Sequence, residues 1–74
     1  MKIKLAILEQ DKEYLQRIVT VFSTRFGEKF ELYSFTDEEL ALKTVREVKM
    51  DVLVADASFD INTALLPKQC SFAY

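Results

Sequence analysis

The stretch Asp51–Asp60 reads DVLVADASFD and contains a short apolar run that ends at Asp56. The run, Val52–Ala55, has no helical spacing and includes two valines, which favours a strand buried on both faces. An acid that ends such a strand lies where the chain leaves the core. Asp56 is therefore either a functional group at the end of this strand or a polar residue bonded to nearby backbone N–H groups.

The segments before this stretch predict a strand followed by a helix. Ile3–Leu8 is mostly apolar and has β-branched members, as in a strand with both faces covered. The next segment runs from Asp11, a predicted N-cap, to a predicted helix end at Gly27. Its apolar residues are spaced along one helical face and are Leu15, Ile18, Val19, Phe22 and Phe26.

A second strand and a second helix are predicted between Gly27 and Asp51. Phe30–Phe35 alternates in polarity, which favours a half-exposed strand at a sheet edge. The letters TDEE follow, and Thr36 with Glu39 predicts a capping box that begins a helix running to about Glu47. Beyond Asp60, TALLPKQ predicts barely one helical turn, and CSFAY predicts the start of a fourth strand.

The predicted order, β-α-β-α-β and a further strand, indicates an open α/β fold. Strands joined by helical crossovers pair in parallel, and the crossover helices cover the faces of the sheet. We expect one domain, residues 1–74, that stops within its fourth strand. A chain of this length buries only ~60% of its unfolded surface, so marginal stability is expected.

Composition narrows the functional classes. The net charge of −2, without a basic stripe, disfavours nucleic-acid binding. No run approaches the ~20 apolar residues of a membrane span. Cys70 is the only cysteine and histidine is absent, which disfavours zinc sites and internal disulfides and suggests a reducing, cytoplasmic setting. The residues offer no nucleophile with a partner base, so we do not expect an enzyme.

Acids and an amide cluster at the carboxyl ends of the predicted strands. The first strand ends in LEQD, which contributes Glu9, Gln10 and Asp11, and the third ends at Asp56. Ligands of open α/β sheets bind at this end. Oxygen ligands without His or Cys suit Mg²⁺, with Glu9, Gln10 and Asp56 as candidates, and a carboxylate beside such an ion can accept a phosphoryl group. The alternative for Glu9 and Asp11 is capping of the first helix.

At these positions the chain resembles the receiver domains of bacterial response regulators. They have a flavodoxin-like (CheY-like) fold with strand order 2-1-3-4-5. Glu9 and Gln10 fall on the acidic pair of the family, and Asp56 falls on its phosphorylated aspartate. The resemblance covers the whole chain but only the N-terminal part of a receiver. It implies an incomplete sheet of three to four strands.

The chain departs from the receiver pattern at several positions. Gln10 replaces an acid, and ASFDIN lacks the usual Pro and Gly after Asp56. The Ser or Thr after strand four and the Lys after strand five would lie beyond Tyr74. These departures indicate an atypical or pseudo-receiver, a class that keeps the fold for protein contacts. One context that the resemblance suggests is the receiver-like domain of TadZ or CpaE-type pilus-assembly proteins, where it precedes a MinD-like ATPase.

The sequence leaves three functional hypotheses. The first is a regulatory or localising interaction module without phosphorelay activity, whose partner is another protein, a downstream domain or a second copy of the chain. The second is a phosphoacceptor receiver of a two-component system, with Asp56 phosphorylated. The third, a nucleotide- or flavin-binding domain, ranks last because Gly27 stands alone and no glycine-rich phosphate loop is present.

Overall fold

Four parallel strands form one sheet in the computed structural model, which describes residues 1–74. The elements in chain order are β1 (Ile3–Leu8), α1 (Lys12–Phe26), β2 (Phe30–Phe35), α2 (Glu38–Val48), β3 (Val52–Ala55), a 3₁₀ turn (Thr63–Leu65) and β4 (Ser71–Ala73). The strand order is β2-β1-β3-β4. This confirms the predicted fold, an incomplete flavodoxin-like open sheet with flanking helices.

The pairing register places β1 and β3 inside the sheet. β1 pairs with β2 along its whole length, and its last four residues, Leu5–Leu8, also pair with Val52–Ala55 of β3. The other side of β3 pairs with β4, which begins opposite Val52 at Ser71. The predictions that DVLVA forms an inner strand and that Phe30–Phe35 forms an edge strand are confirmed.

Each helix covers one face of the sheet. Along β1, the side chains of Leu5 and Ile7 pack against Leu15 of α1, whereas Ala6 and Leu8 face α2. The α2 face forms the larger buried cluster, which consists of Ala6, Leu8, Ala41, Val45, Met50, Leu53, Ala55, Ile61 and Cys70. β1 is thus buried on both faces, as its continuous apolar run predicts.

The start of α1 agrees with the prediction. Asp11 is the N-cap, and its Oδ1 accepts hydrogen bonds from the backbone N–H groups of Glu13 (3.0 Å) and Tyr14 (3.2 Å). Gly27 ends the helix in a right-handed conformation with φ −61°, so the stop does not use the left-handed freedom of glycine. Neither helix is long and apolar enough to cross a membrane.

The prediction for the start of α2 is wrong by one residue. The N-cap is Asp37, whose Oδ2 accepts from the backbone N–H of Leu40 at 3.3 Å, and Thr36 makes no capping box with Glu39. Aspartate ranks slightly above threonine as a cap, and this register places both following glutamates in the first turn, where the helix dipole favours them. The helix ends at Val48, one residue later than expected.

Asp51 ties together the amino ends of the two inner strands. Its Oδ2 accepts from the backbone N–H of Lys4 at 2.8 Å, and its backbone N–H donates to the carbonyl of Lys4 at 2.9 Å. The carbonyl of Asp51 in turn accepts from the backbone N–H of Ser71 at 2.8 Å, at the start of β4. Cys70 is buried beside this junction, and desolvation, with a smaller effect from Asp51, raises the pKa of its thiol. The thiol therefore behaves as a small apolar group, as predicted.

The reassigned cap of α2 predicts different costs for neighbouring substitutions. Asp37→Ala should lower the free energy of unfolding by about 1 kcal/mol because it removes the acceptor for a helix N–H. Thr36→Ala should change it by less than about 0.5 kcal/mol, as an exposed site without a capping role. Urea unfolding followed by circular dichroism measures both. A larger loss of unfolding free energy for Thr36→Ala than for Asp37→Ala would show that Thr36 is the cap.

The two-sided packing predicts a large cost for truncating the inner strand β3. Leu53 is fully buried, and Leu53→Ala should cost about 2–5 kcal/mol or abolish cooperative unfolding. Leu40→Ala is the matched control, because the Leu40 side chain is 52% exposed, and it should change stability by less than about 0.5 kcal/mol. Equal effects of the two substitutions in urea unfolding would contradict this assignment of the core.

Candidate functional site

The carboxyl edge of the sheet brings Glu9 and Asp56 together. Leu8 of β1 is paired with Ala55 of β3, so the two acids occupy the next position on neighbouring strands. Sheet bonding continues there, since the backbone N–H of Asp56 donates to the carbonyl of Leu8 and that of Glu9 donates to the carbonyl of Phe35, both at 2.9 Å. Neighbouring strands lie about 4.8 Å apart, so the two acids are close in space.

Strand alternation directs both acids toward the face that α1 covers. Ile7 and Val54, two residues before Glu9 and Asp56, belong to the cluster that packs against α1. Side chains two residues apart on a strand share a face. The predicted convergence of the first and third strand ends at a common edge is therefore observed.

The Glu9 carboxylate is turned inward. Glu9 is 8% exposed, and it is the only buried charged residue of the chain. Its Oε2 accepts from the backbone N–H of Asp11 at 3.0 Å, and Asp11 in turn caps α1. A buried carboxylate needs hydrogen-bond donors, and this one obtains a donor from the turn between β1 and α1. Asp11 therefore caps α1, as the sequence predicts, and Glu9 accepts a hydrogen bond from the turn that precedes the helix.

Asp56 is half-buried and holds the turn that follows β3. Its Oδ2 accepts from the backbone N–H of Ser58 at 3.2 Å and from the Ser58 hydroxyl, and its carbonyl accepts from the backbone N–H of Phe59 at 3.0 Å. The Ser58 hydroxyl, followed by the Ser58 backbone N–H, lowers the pKa of Asp56. Asp56 is thus ionised at neutral pH, because hydrogen bonds to the charged form favour it.

Ser58 is the site residue that the sequence interpretation missed. It lies two residues after Asp56, and Asp-x-Ser is a spacing at which an aspartate bonds the backbone ahead of it in an Asx turn. That local signal was present in DASF. The bond between Glu9 and the N–H of Asp11 follows the same spacing of two residues.

The donor set at this edge fits Mg²⁺ poorly. Gln10 is exposed and supplies a neutral amide, Glu9 is committed to a backbone N–H, and one oxygen of Asp56 is committed to Ser58. No group of three or more His, Cys, Asp or Glu side chains is arranged to hold a metal ion. Assignment of Glu9, Gln10 and Asp56 as metal ligands stays a prediction.

An open parallel sheet of order β2-β1-β3-β4, with an acid at the end of β3 beside the β1 turn, defines a receiver-like domain. Comparison with family models agrees, since the family described as TadZ-like, receiver domain, matches residues 1–74. The chain belongs to this family, which confirms the resemblance to TadZ-type receiver-like domains. No curated protein matches the chain.

The contact between Asp56 and Ser58 predicts a measurable titration effect. Ser58→Ala should raise the pKa of Asp56 toward the ordinary aspartate value, because the largest cause of its lowering is removed. Carbon chemical shifts of the Asp56 carboxyl group, followed by NMR across acid pH, measure this pKa. Ser34→Ala, on the exposed edge strand, is the control and should leave it unchanged.

The same contact predicts how stability depends on pH. The pKa of Asp56 is lower in the folded than in the unfolded chain, so ionised Asp56 stabilises the fold above the unfolded pKa. This contribution is lost as the pH falls through the folded pKa, and Ser58→Ala should reduce the acid-dependent loss. An unchanged pKa of Asp56 in Ser58→Ala would show that the bond does not persist in solution.

Proposed function

We propose that this TadZ-like receiver domain is a protein-interaction module without phosphorelay activity. The observation that carries the proposal is the use of the carboxyl-edge acids by the chain itself. Glu9 binds the N–H of Asp11, and Asp56 binds Ser58. One oxygen of each carboxylate is thereby occupied, which leaves fewer oxygens for a metal ion and for attack on a phosphoryl group.

The charge at the carboxyl edge of the sheet also supports a site that does not accept a phosphoryl group. Phosphoryl transfer depends on a cation that neutralises the moving phosphoryl group, and carboxylates hold that cation best. Gln10 contributes no charge, and Glu9 is buried. The edge thereby lacks the pair of free acids that would attract Mg²⁺ next to Asp56.

Exposed apolar side chains support a role in protein contacts. Several large hydrophobic residues remain at least 43% exposed, among them Tyr14, Val21, Phe26, Leu40 and Leu65. Tyr14, Val21 and Phe26 line one groove on α1, and Leu40 and Leu65 line another beside α2. Apolar residues grouped in this way on a small domain mark interaction sites. The proposed partner is another protein or another domain of the same polypeptide, and association of two copies through an edge strand is the alternative.

The family supplies the proposed context. The match to TadZ-like receiver domains supports a regulatory or localising role within a larger pilus-assembly protein. We place that role in the cytoplasm, where a single buried thiol such as Cys70 stays reduced. The chain has no histidine and pairs no nucleophile with a base, which supports a module without catalytic turnover.

One observation favours the second function, a phosphoacceptor. Asp56 lies at the end of an inner strand, is half-buried rather than enclosed, and is ionised because Ser58 lowers its pKa. An ionised carboxylate at this position is chemically able to attack a phosphoryl donor. The two functions therefore differ in whether this carboxylate reacts, and a direct labelling experiment separates them.

We expect no added phosphoryl mass when the purified protein is incubated with acetyl phosphate and Mg²⁺ and its intact mass is measured. Gln10→Asp, which restores a second acid at the exposed position beside Glu9, is the informative variant and should strengthen Mg²⁺ binding in a titration. Asp56→Asn is the matched control for labelling.

Two results would change the assignment. Stoichiometric phosphorylation of the unaltered protein that disappears in Asp56→Asn would replace the interaction module by the phosphoacceptor. Labelling that survives Asp56→Asn would show that another residue is modified and would remove Asp56 as the acceptor.

A further inference from the structure

The outer side of α1 carries an apolar groove that the sheet does not cover. Leu15 is the buried residue of this helix, and it faces the sheet. Tyr14, Ile18 and Val21 follow intervals of four and three along a neighbouring side, with Phe22 and Phe26 at its border. These residues line a groove of about 480 Å³. Tyr14 is 52% exposed and Val21 is 57% exposed, so the groove opens to solvent.

The groove is bordered by positive charge only. Arg17 and Arg25 line it, and no carboxylate does. The single ion pair of the chain joins Lys43 to Glu47 on α2, so neither arginine is held in an ion pair with an acid of its own chain. Eight residues of helix separate the Cα atoms of the two arginines by about 12 Å along the axis.

We propose that this groove, named here the α1 groove, docks an acidic amphipathic helix of a partner protein. This inference rests on the proposed function as an interaction module and names its surface and partner. A partner helix would place apolar residues at i, i+3 or i+4, and i+7 against Ile18, Val21 and Phe22. Two glutamates or aspartates about two turns apart on its border would pair with Arg17 and Arg25, since guanidinium groups bind carboxylates in a bidentate fashion.

The positions of the arginines disfavour a second copy of the chain as the occupant. Arg17 and Arg25 lie four residues on either side of Val21, the most exposed apolar residue of the groove. Antiparallel pairing of two α1 helices centred on Val21 would place Arg17 opposite the equivalent of Arg25. Parallel pairing would place each arginine opposite its own equivalent. Both arrangements bring like charges together, which is destabilising, whereas an acidic helix is complementary.

The test measures binding of a defined acidic helix to the purified protein. The probe is a fluorescently labelled helical peptide with leucines at i, i+3, i+4 and i+7 and two glutamates eight residues apart, and its anisotropy reports binding. The matched control peptide has glutamine in place of both glutamates. We expect the acidic peptide to bind at least roughly tenfold more tightly, and added salt to reduce this difference.

Variants of the protein locate the binding surface. The double variant Arg17→Glu with Arg25→Glu should weaken binding of the acidic peptide by roughly tenfold or more. Val21→Glu should weaken binding of both peptides. Arg46→Glu, a charge reversal on the exposed side of α2, is the matched control and should leave binding unchanged. The substituted residues are all exposed, so we expect each variant to fold, and circular dichroism checks this.

Several outcomes would overturn the proposal. They are equal binding of the two peptides, an effect of Arg46→Glu as large as that of the double variant, and absence of peptide binding. A dimer in gel filtration that Val21→Glu dissociates would assign the groove to a second copy. Negative labelling by acetyl phosphate together with absent peptide binding would leave the interaction module in place but remove this surface, whereas positive labelling dependent on Asp56 would remove the proposed function itself.

Discussion

Burial of β1 on both of its faces is the constraint on which the rest of the structure depends. Leu5, Ala6, Ile7 and Leu8 are consecutive and all are at most 7% exposed. Successive side chains of a strand point to opposite faces, so such a run requires a helical layer on each side. Its backbone groups also require a neighbour at each edge, and β2 and β3 provide these. The crossover helices α1 and α2 then occupy opposite faces because each packs its apolar side against one of the two apolar faces of the sheet.

The carboxyl edge shows how the backbone of the fold uses the acids that lie there. Parallel strands bring Glu9 and Asp56 to one edge, and the backbone turns there leave N–H groups that need acceptors. In this chain the carboxylates satisfy that need, as Glu9 accepts from Asp11 and Asp56 accepts from Ser58. A cation or a phosphoryl donor would have to compete with those bonds, and the neutral Gln10 contributes no charge to help it.

The helices and strands could be predicted from the sequence. The residues at which they begin and end could be predicted only in part. The spacing of apolar residues is local information, so Ile3–Leu8, the first helix and the alternating Phe30–Phe35 strand were predicted with nearly their observed bounds. The start of α2 was not, because Thr36 and Asp37 are adjacent residues that both cap helices well, and the local pattern does not distinguish them. Ser58 was missed although the Asp-x-Ser spacing in DASF is a local signal for an Asx turn.

The sequence by itself determined the class of the fold and the position of Asp56 at the end of its third strand. Those features follow from periodicity and chain order, which are properties of neighbouring residues. Only the tertiary structure decided that Glu9 is buried and turned toward Asp11, and that one apolar side of α1 stays uncovered. The physical reason is that burial depends on which segments meet in space. The partner of Glu9 is local, but the segments that bury Glu9 and leave one side of α1 uncovered are distant along the chain.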